Sequence, residues 1–552
     1  MWKNQDFRLT FYLIFSLLIV SNVTFGQEIQ KIESKIMEIQ MKQDSLNRRI
    51  NQFSMGWDFK VEVENAHTNF TGDFVEITPK INEVNYPFMV ELLGEGGPKN
   101  GITAYTEAYM DFNFRSDIVG VSSIWKITDL WGGGAKIGLD NVLLQANLNN
   151  SIVTYGTFRQ KFTPLTLYYP FFERDNLNPN KAFTKEKERI TEKYQVYNER
   201  LLTGAHLQSD FGTMNLHVIA SKIPDLSNQR YIFGVQALDN FREASNLSFT
   251  YVNLFDAYSL AAEDGQAMKN EIVSLKFFQG IGNICKIEGE FAKSIYDENV
   301  FSSEYDPISD SAQNIQVAIE RKGLNVDLNY MRIGAFYNAI PVSMKNVEFK
   351  DPSVDGLVSL NTALPYGIAT PNRVGLHRLV SCNPFPNTKI LYGNTRLTQI
   401  LPIDENGAPC SSSAKFNVNE WGFVVNVDDL LARIIATERL PGGSNNFEFS
   451  FFQSNEKMFR ENVDEILSVA SSNYGLSWEL QSGWVCDFGY KILQNKREAK
   501  ERWDISIFCL SKNFDSNSRF IITSKRIDYK KLLNEQESFY SLSNHIELRV
   551  SF

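Results

Sequence analysis

The ionisable side chains best placed to do chemistry recur at every second position. In the run at 104–115, Glu107, Asp111 and Arg115 share one side with Tyr105, Tyr109 and Asn113. At 154–162, Arg159 and Lys161 share one side with Tyr155 and Thr157, while Gly156, Phe158 and Phe162 take the other. A strand sends successive side chains to opposite faces, so these five charged residues belong to the polar faces of strands. Fixed charges of both signs on a solvated wall orient a polar solute through their field without bonding to it. Bond-making chemistry finds no comparable set. The histidines at 67, 206, 217, 377 and 545 are scattered, and no G-x-S-x-G elbow is present. His217 falls in the polar phase beside Met214, Leu216 and Val218, which suits a solvated wall position. The glycine clusters at 94–97 and 132–134 do not match a phosphate loop and read as turns. Cysteines at 285, 382, 410, 486 and 509 form neither a CxxC pair nor an even framework. They read as free thiols, with Cys382 and Cys410 left as one pairing that an oxidising compartment permits. No catalytic residue, metal ligand or cofactor site is assigned.

The elements that must carry these residues are strands. Trp57, Phe59, Val61 and Val63 alternate with Asp58, Lys60, Glu62 and Glu64. Leu247, Phe249 and Tyr251 repeat the rhythm. Ile315, Val317 and Ile319 pass through Arg321-Lys322-Gly323 into Leu324, Val326, Leu328 and Tyr330, as a tight hairpin would. Phe447, Phe449 and Phe451 form one face; Leu476, Trp478 and Leu480 turn through Ser482-Gly483 into Trp484, Cys486, Phe488 and Tyr490. The 41 Phe and 22 Tyr coexist with a polar mean hydropathy of −0.26, because apolar residues are spread over alternate positions. Connections are uneven, with long polar stretches at 173–200, 297–312 and 340–415. Short turns at one end and long loops at the other mark a transmembrane barrel more than a soluble sandwich.

The first residues add a compartment. Lys3 and Arg8 precede the apolar run Phe11 to Val20, and Thr24 and Gly26 stand at −3 and −1 before Gln27. That order predicts a cleaved secretory signal peptide over 1–26. The heptad spacing of Ile29, Ile32, Ile36, Ile39, Gln43, Leu46, Ile50 and Phe53 predicts a coiled-coil helix over 27–54. Isoleucine at both seam positions favours three strands, so a homotrimer is expected. A net charge of −10 disfavours nucleic acid as a partner.

The last residues, His545 to Phe552, alternate to the final phenylalanine. This amphipathic strand ending in Phe resembles the signal by which Gram-negative outer-membrane barrels are recognised and inserted. The resemblance implies outer-membrane lipid and the barrel-assembly machinery as partners, with Phe552 as the insertion residue. The segment Tyr155-Gly156-Thr157-Phe158-Arg159-Gln160-Lys161-Phe162-Thr163-Pro164 is similar to the Gly-x-Phe…Pro segment of phosphate- and polyphosphate-selective porins. Those porins also carry a short coiled coil and form trimers. Here the dense run of lumen cations expected of phosphate selectivity is not evident.

Together these readings predict an all-β, transmembrane antiparallel β-barrel of about 16–18 strands over 55–552, preceded by the short coiled-coil helix. A long loop is expected at 340–415. The expected function is an outer-membrane, porin-like channel for passive diffusion of small polar solutes, lined by Glu107, Asp111, Arg115, Arg159 and Lys161. The alternative is a non-transporting barrel serving as a structural or assembly component of a secretion or surface-attachment system. A barrel enzyme ranks below both, given the scattered histidines.

Overall fold

The computed structural model describes residues from Gln52 to Ser551 apart from several connections, the longest being 72–100, 168–178, 186–201, 340–368 and 427–445. The expected signal peptide, the seam residues Ile29, Ile32, Ile36, Ile39, Leu46 and Ile50, and Phe552 lie outside the described residues. Phe53 falls in the first strand and not in a helix.

The alternating runs form 22 strands. The first quarter comprises β1 (Gln52–Thr71), β2 (Gly101–Arg115), β3 (Val119–Leu130), β4 (Gly134–Leu148), β5 (Ser151–Phe158) and β6 (Leu202–Phe211). Next come β7 (Met214–Ile223), β8 (Arg230–Arg242), β9 (Ser245–Asp256), β10 (Lys269–Ile281), β11 (Cys285–Asp297) and β12 (Ile308–Arg321). β13 (Leu324–Ile333), β14 (Arg373–Phe385), β15 (Thr388–Thr398), β16 (Ala414–Asn426) and β17 (Asn446–Arg460) follow. The set ends with β18 (Val463–Glu479), β19 (Trp484–Asn495), β20 (Glu501–Asn513), β21 (Arg519–Lys531) and β22 (Ser538–Ser551).

Each strand pairs antiparallel with its neighbours in sequence, and β22 pairs back onto β1 from Asp58↔Ser551 to Thr71↔Ser538. The sheet is therefore closed and has no free edge, as a bilayer demands of any β structure that crosses it. The two predicted hairpins are present: Gly323 joins β12 to β13 at φ 72°, and Gly483 joins β18 to β19 at φ 76°.

The expectation of about 16–18 strands is corrected to 22, and the long loop at 340–415 is corrected with it. β14 and β15 lie inside that stretch. Pro384 sits near the end of β14, where its lost ladder bond costs least. Short strands account for more of the difference: β5, β6, β7 and β13 hold only eight to ten residues each, which is enough for a tilted strand to cross.

The two ends of the barrel differ. Both the start of β1 and the end of β22 lie at one end. Connections there are mostly two to five residues, such as Asn149-Asn150 between β4 and β5; the exception is 427–445 between β16 and β17. The other end carries the long connections 72–100, 159–201 and 334–372. The outward phase is apolar and exposed: Phe114, Trp125, Leu144, Tyr155, Phe291, Tyr392, Trp421, Tyr474, Leu476 and Phe508 are each at least 37% exposed. The inward phase holds most of the buried polar residues, among them Glu290, Glu456, Asp487, Lys491 and Glu547. Cys285, Cys382, Cys486 and Cys509 are free thiols.

Candidate functional site: the crossed lumen

The wall phase is fixed by register. Lys60 pairs with Glu107, Gly56 with Asp111 and Gln52 with Arg115, while Lys60 also pairs with Arg549 and Glu62 with Glu547 of β22. Glu547 is fully buried on the inside, held by Arg519 at 2.9 Å. Glu107, Asp111 and Arg115 thus hold register positions of the same phase as Glu547, and their side chains lie outside the described residues.

The other two candidates do not. β5 stops at Phe158, so Lys161 lies beyond the strand, exposed, and Arg159 is outside the described residues. The phase of β5 is also the reverse of the expected one. Tyr155 is 63% exposed on the lipid side, and Phe158 is buried inside. Gly156, with a φ of 125° and Val142 O crowding the place where a Cβ would stand, makes β5 short and irregular, so its alternation does not continue into 159–162.

After Phe158 the chain turns into the barrel. Leu167 joins Phe158, Leu202, Ile219, Ile232, Val252, Leu254 and Met268 on the inner wall. Leu165 joins Ile272, Ala292, Ala312, Ile333 and Tyr337 one patch further round. Full burial of two leucines contributes about 1.5–3 kcal/mol each. Polar bonds fix the same segment. Thr163 Oγ1 donates to Glu290 Oε1 at 2.5 Å, Ser274 Oγ donates to the same oxygen at 2.8 Å, and Thr166 Oγ1 donates to Thr163 Oγ1 at 2.6 Å. Tyr337 Oη donates to Leu165 O at 2.6 Å. Tyr337 stands in the connection after β13, and burial together with the nearby Glu290 carboxylate raises its phenol well above the ordinary value.

The same connection reaches a second sector of the wall, β17–β20. Asn180 caps a short helix at 181–185: its Oδ1 accepts from Ala182 N at 3.0 Å, and its Nδ2 donates to Tyr474 O at 2.7 Å. Asn180 and Phe183 sit over Gly475 and Gly489, which face each other across β18 and β19. A Cβ on Gly489 would lie 2.9 Å from the Phe183 ring and 3.0 Å from Asn180, and one on Gly475 would lie 2.9 Å from Asn180. These glycines leave a depression that receives the helix. Lys185 Nζ lies 2.5 Å from the fully buried Asp487 Oδ2 and donates to Ser511 Oγ at 2.7 Å. Lys181 bonds Glu448 at 3.0 Å. In a ring of 22 strands, the described residues 160–167 attach to β10–β13 and the described residues 179–185 to β17–β20.

By composition the charged segment 183–200 reads as a charged helix or an extended solvated loop, and 186–200 lies outside the described residues. The described part is a helix of one turn and is docked inside. The available signal was Ala182-Phe183 after a capping asparagine, an apolar pair with no surface to explain it.

His206 and His217 also meet inside. His217 lies inward, as its phase suggested, and its Nδ1 is 3.2 Å from His206 Nε2 with rings 11° from coplanar. No group of three metal-ligating side chains occurs among the described residues.

No family model matches the sequence, and no curated protein does. Among the solved structures that resemble the chain are three Pseudomonas aeruginosa proteins. OccK11 (OpdR) is 9% identical at TM-score 0.36, with 91% of this chain and 96% of that one covered. OccK5 (OpdH) is 9% identical at TM-score 0.37, covering 90% and 98%. OccK2 (OpdF), solved in complex with glucuronate, is 9% identical at TM-score 0.34, covering 90% and 98%. At these levels the likeness carries no functional argument, which must come from the barrel itself.

Proposed function

We propose that the chain is an outer-membrane channel for passive diffusion of small polar solutes, with the connection at 159–201 forming its constriction. The observation that carries the reading is a closed barrel with an apolar outside and a charged inside, crossed by a segment anchored on two walls. Hydrocarbon accepts no exposed charge, so the outward face belongs to lipid. The inside carries both signs: Lys276 bonds Glu288 at 2.7 Å, Arg230 bonds Asp256 at 2.7 Å and Arg519 bonds Glu547. Such a wall binds no solute tightly and suits diffusion. The fixed groups serve to orient and screen the solute, and no covalent step is required of them.

Planar-bilayer conductance tests it. The purified protein should raise conductance without nucleotide or metal. Glu107→Lys with Asp111→Lys should shift ion preference towards anions without loss of heat-modifiable migration. A silent bilayer over a range of voltages would favour the structural or assembly alternative. The homotrimer belongs to the same proposal and rests on the heptad spacing of Ile29 to Ile50. Ile36→Asp with Ile39→Asp should abolish a cross-linked trimer while the barrel still folds; an unchanged oligomer removes the helix from that role.

A further inference from the structure

The outside of the barrel is not uniform around its circumference. On β13–β17 the outward positions include Arg332, Arg378, Arg396, Lys415 and Lys457 and, among the described residues, no Asp or Glu. Three outward cations elsewhere stand beside acids: Lys269 with Glu271 at 3.2 Å, Arg502 with Asp504 at 2.9 Å and Arg526 with Asp528 at 2.8 Å; outward Lys222, Lys293 and Lys512 are set singly on other strands. The side chains of Arg332, Arg378 and Arg396 are exposed.

Register sets their spacing. Arg378 lies between Leu328 and Asn394, Arg396 between Leu376 and Asn417, and Arg332 opposite Val374. With strands about 4.8 Å apart and about 3.4 Å per residue, the Cα atoms of Arg378 and Arg396 are about 8 Å apart. Arg332 is about 12 Å from Arg396 on the same ruler. Two arginine side chains at 8 Å can converge on one anion.

Their depth is set by what lies beneath. Towards the short-turn end the outward residues become aromatic: Tyr392, Trp421, Phe423, Phe451 and Tyr474, in contact through Trp421–Phe451 at 4.9 Å and Phe451–Tyr474 at 5.2 Å. Tyrosine and tryptophan of this kind mark the edge of the apolar band. Arg378 stands lower than its companions, with outward Val380 below it and Leu376 and Val374 above. Hydrocarbon cannot solvate a guanidinium, so the side chain must extend to the headgroup level. The cluster lies at the end that carries the long connections.

We propose that the outward face of β13–β17 is a binding site for a phosphate-bearing glycolipid headgroup of the outer leaflet. Arg378 and Arg396 converge on one phosphate, and Arg332 flanks them towards a second anionic group. A guanidinium offers a planar fork of donors that matches phosphate oxygens two at a time. Among the described residues, no outward acid on these strands stands beside Arg332, Arg378 and Arg396. The proposal rests on the reading that the long-connection end faces outward from the cell.

The test uses full-length protein in detergent and native mass spectrometry with two probes, a phosphorylated glucosamine-disaccharide lipid and its dephosphorylated form. Wild type should retain the phosphorylated lipid at least about ten-fold better. Arg378→Gln with Arg396→Gln should abolish that preference, Arg396→Gln alone should weaken it, and Arg526→Gln should leave it unchanged. Equal retention of both lipids, or an undiminished preference in the double variant, would overturn the proposal. Displacement by millimolar inorganic phosphate would also overturn it, in favour of a simple ion site. Conductance is measured on the same preparations: a lipid preference in a barrel that passes no current refutes the channel and leaves this site standing.

Discussion

Removing Lys185 should release one end of the crossing segment. Asp487 is fully buried, and Lys185 supplies the charge 2.5 Å from its carboxylate. Deleting one partner of a fully buried pair costs about 3–5 kcal/mol, because the other charge is left without compensation. Lys185 keeps 28% side-chain exposure, so water screens part of this, and roughly 2 kcal/mol is a better figure. At 1.4 kcal/mol per factor of ten, the undocked fraction should rise by about 30-fold. Lys181→Ala is the control: its bond to Glu448 is half-exposed and contributes about 0–1 kcal/mol. Limited proteolysis within 186–201 and single-channel current both report docking. Lys185→Ala should speed cleavage and raise conductance; Lys181→Ala should change neither appreciably. Asp487→Asn in the Lys185→Ala background should recover most of the docking, since it removes the stranded charge. If Lys185→Ala cleaves and conducts like wild type, the pair does not hold the segment. If Asp487→Asn rescues nothing, a stranded carboxylate is not the reason it moves.

Two further expectations follow from the wall and from the first anchor. Leu476→Arg puts a cation on an outward side chain 40% exposed beside Phe449 and Phe488, which should cost about 2–4 kcal/mol and lower the urea midpoint; an unchanged midpoint would mean this position does not face lipid. Tyr337 is raised well above its ordinary value, so an unfolded chain ionises this phenol near about pH 10 while the folded chain does not. Its contribution to stability is therefore flat below about pH 10 and falls by about 1.4 kcal/mol per pH unit above it. Tyr337→Phe should lower stability by about 1 kcal/mol at pH 8 through the lost bond to Leu165 O, yet flatten the loss between pH 9 and 11. Parallel urea midpoints for the two proteins across that range would refute the assignment.

The wall was legible in the sequence and the crossing segment was not, for a physical reason. Alternation is a local signal: Phe112, Phe449 and Leu476 face out because their neighbours face in, and nothing distant is needed to see it. Register gives Glu107, Asp111 and Arg115 the phase of Glu547, and their place in the lumen belongs to the proposed function. The same logic failed at Arg159 and Lys161 because it presumes that the strand continues, and β5 ends at Phe158. What ends it is tertiary: Leu165 and Leu167 find apolar patches on β6–β13, and Lys185 finds Asp487 some 300 positions away. No spacing within 159–201 encodes those partners. The paired glycines at 475 and 489 were visible as residues, but their purpose appears only once Asn180 and Phe183 are set above them.

The strand number and the crossing segment explain each other. Barrel diameter grows about linearly with strand number, and 16–18 strands already enclose an aqueous channel. Twenty-two enclose more than a selective pore for small solutes can use. Wall residues alone could not sense a solute at the axis, because screening in water at physiological salt fades a fixed charge over about 8 Å. A segment held across the lumen brings polar groups inward from the wall and removes part of the excess width. Its anchors differ in kind: the first is mainly apolar, with Leu165 and Leu167, and the second is ionic, with Lys185 and Lys181. Apolar burial is indifferent to salt, whereas the partly exposed ion pairs weaken as salt rises. Salt should therefore loosen the end near β17–β20 first, so protease access should rise earlier at residues 186–201 than at 160–167. Equal access at both ends across 0.05–1 M salt would show that the two anchors release together and that the ionic one is not the weaker.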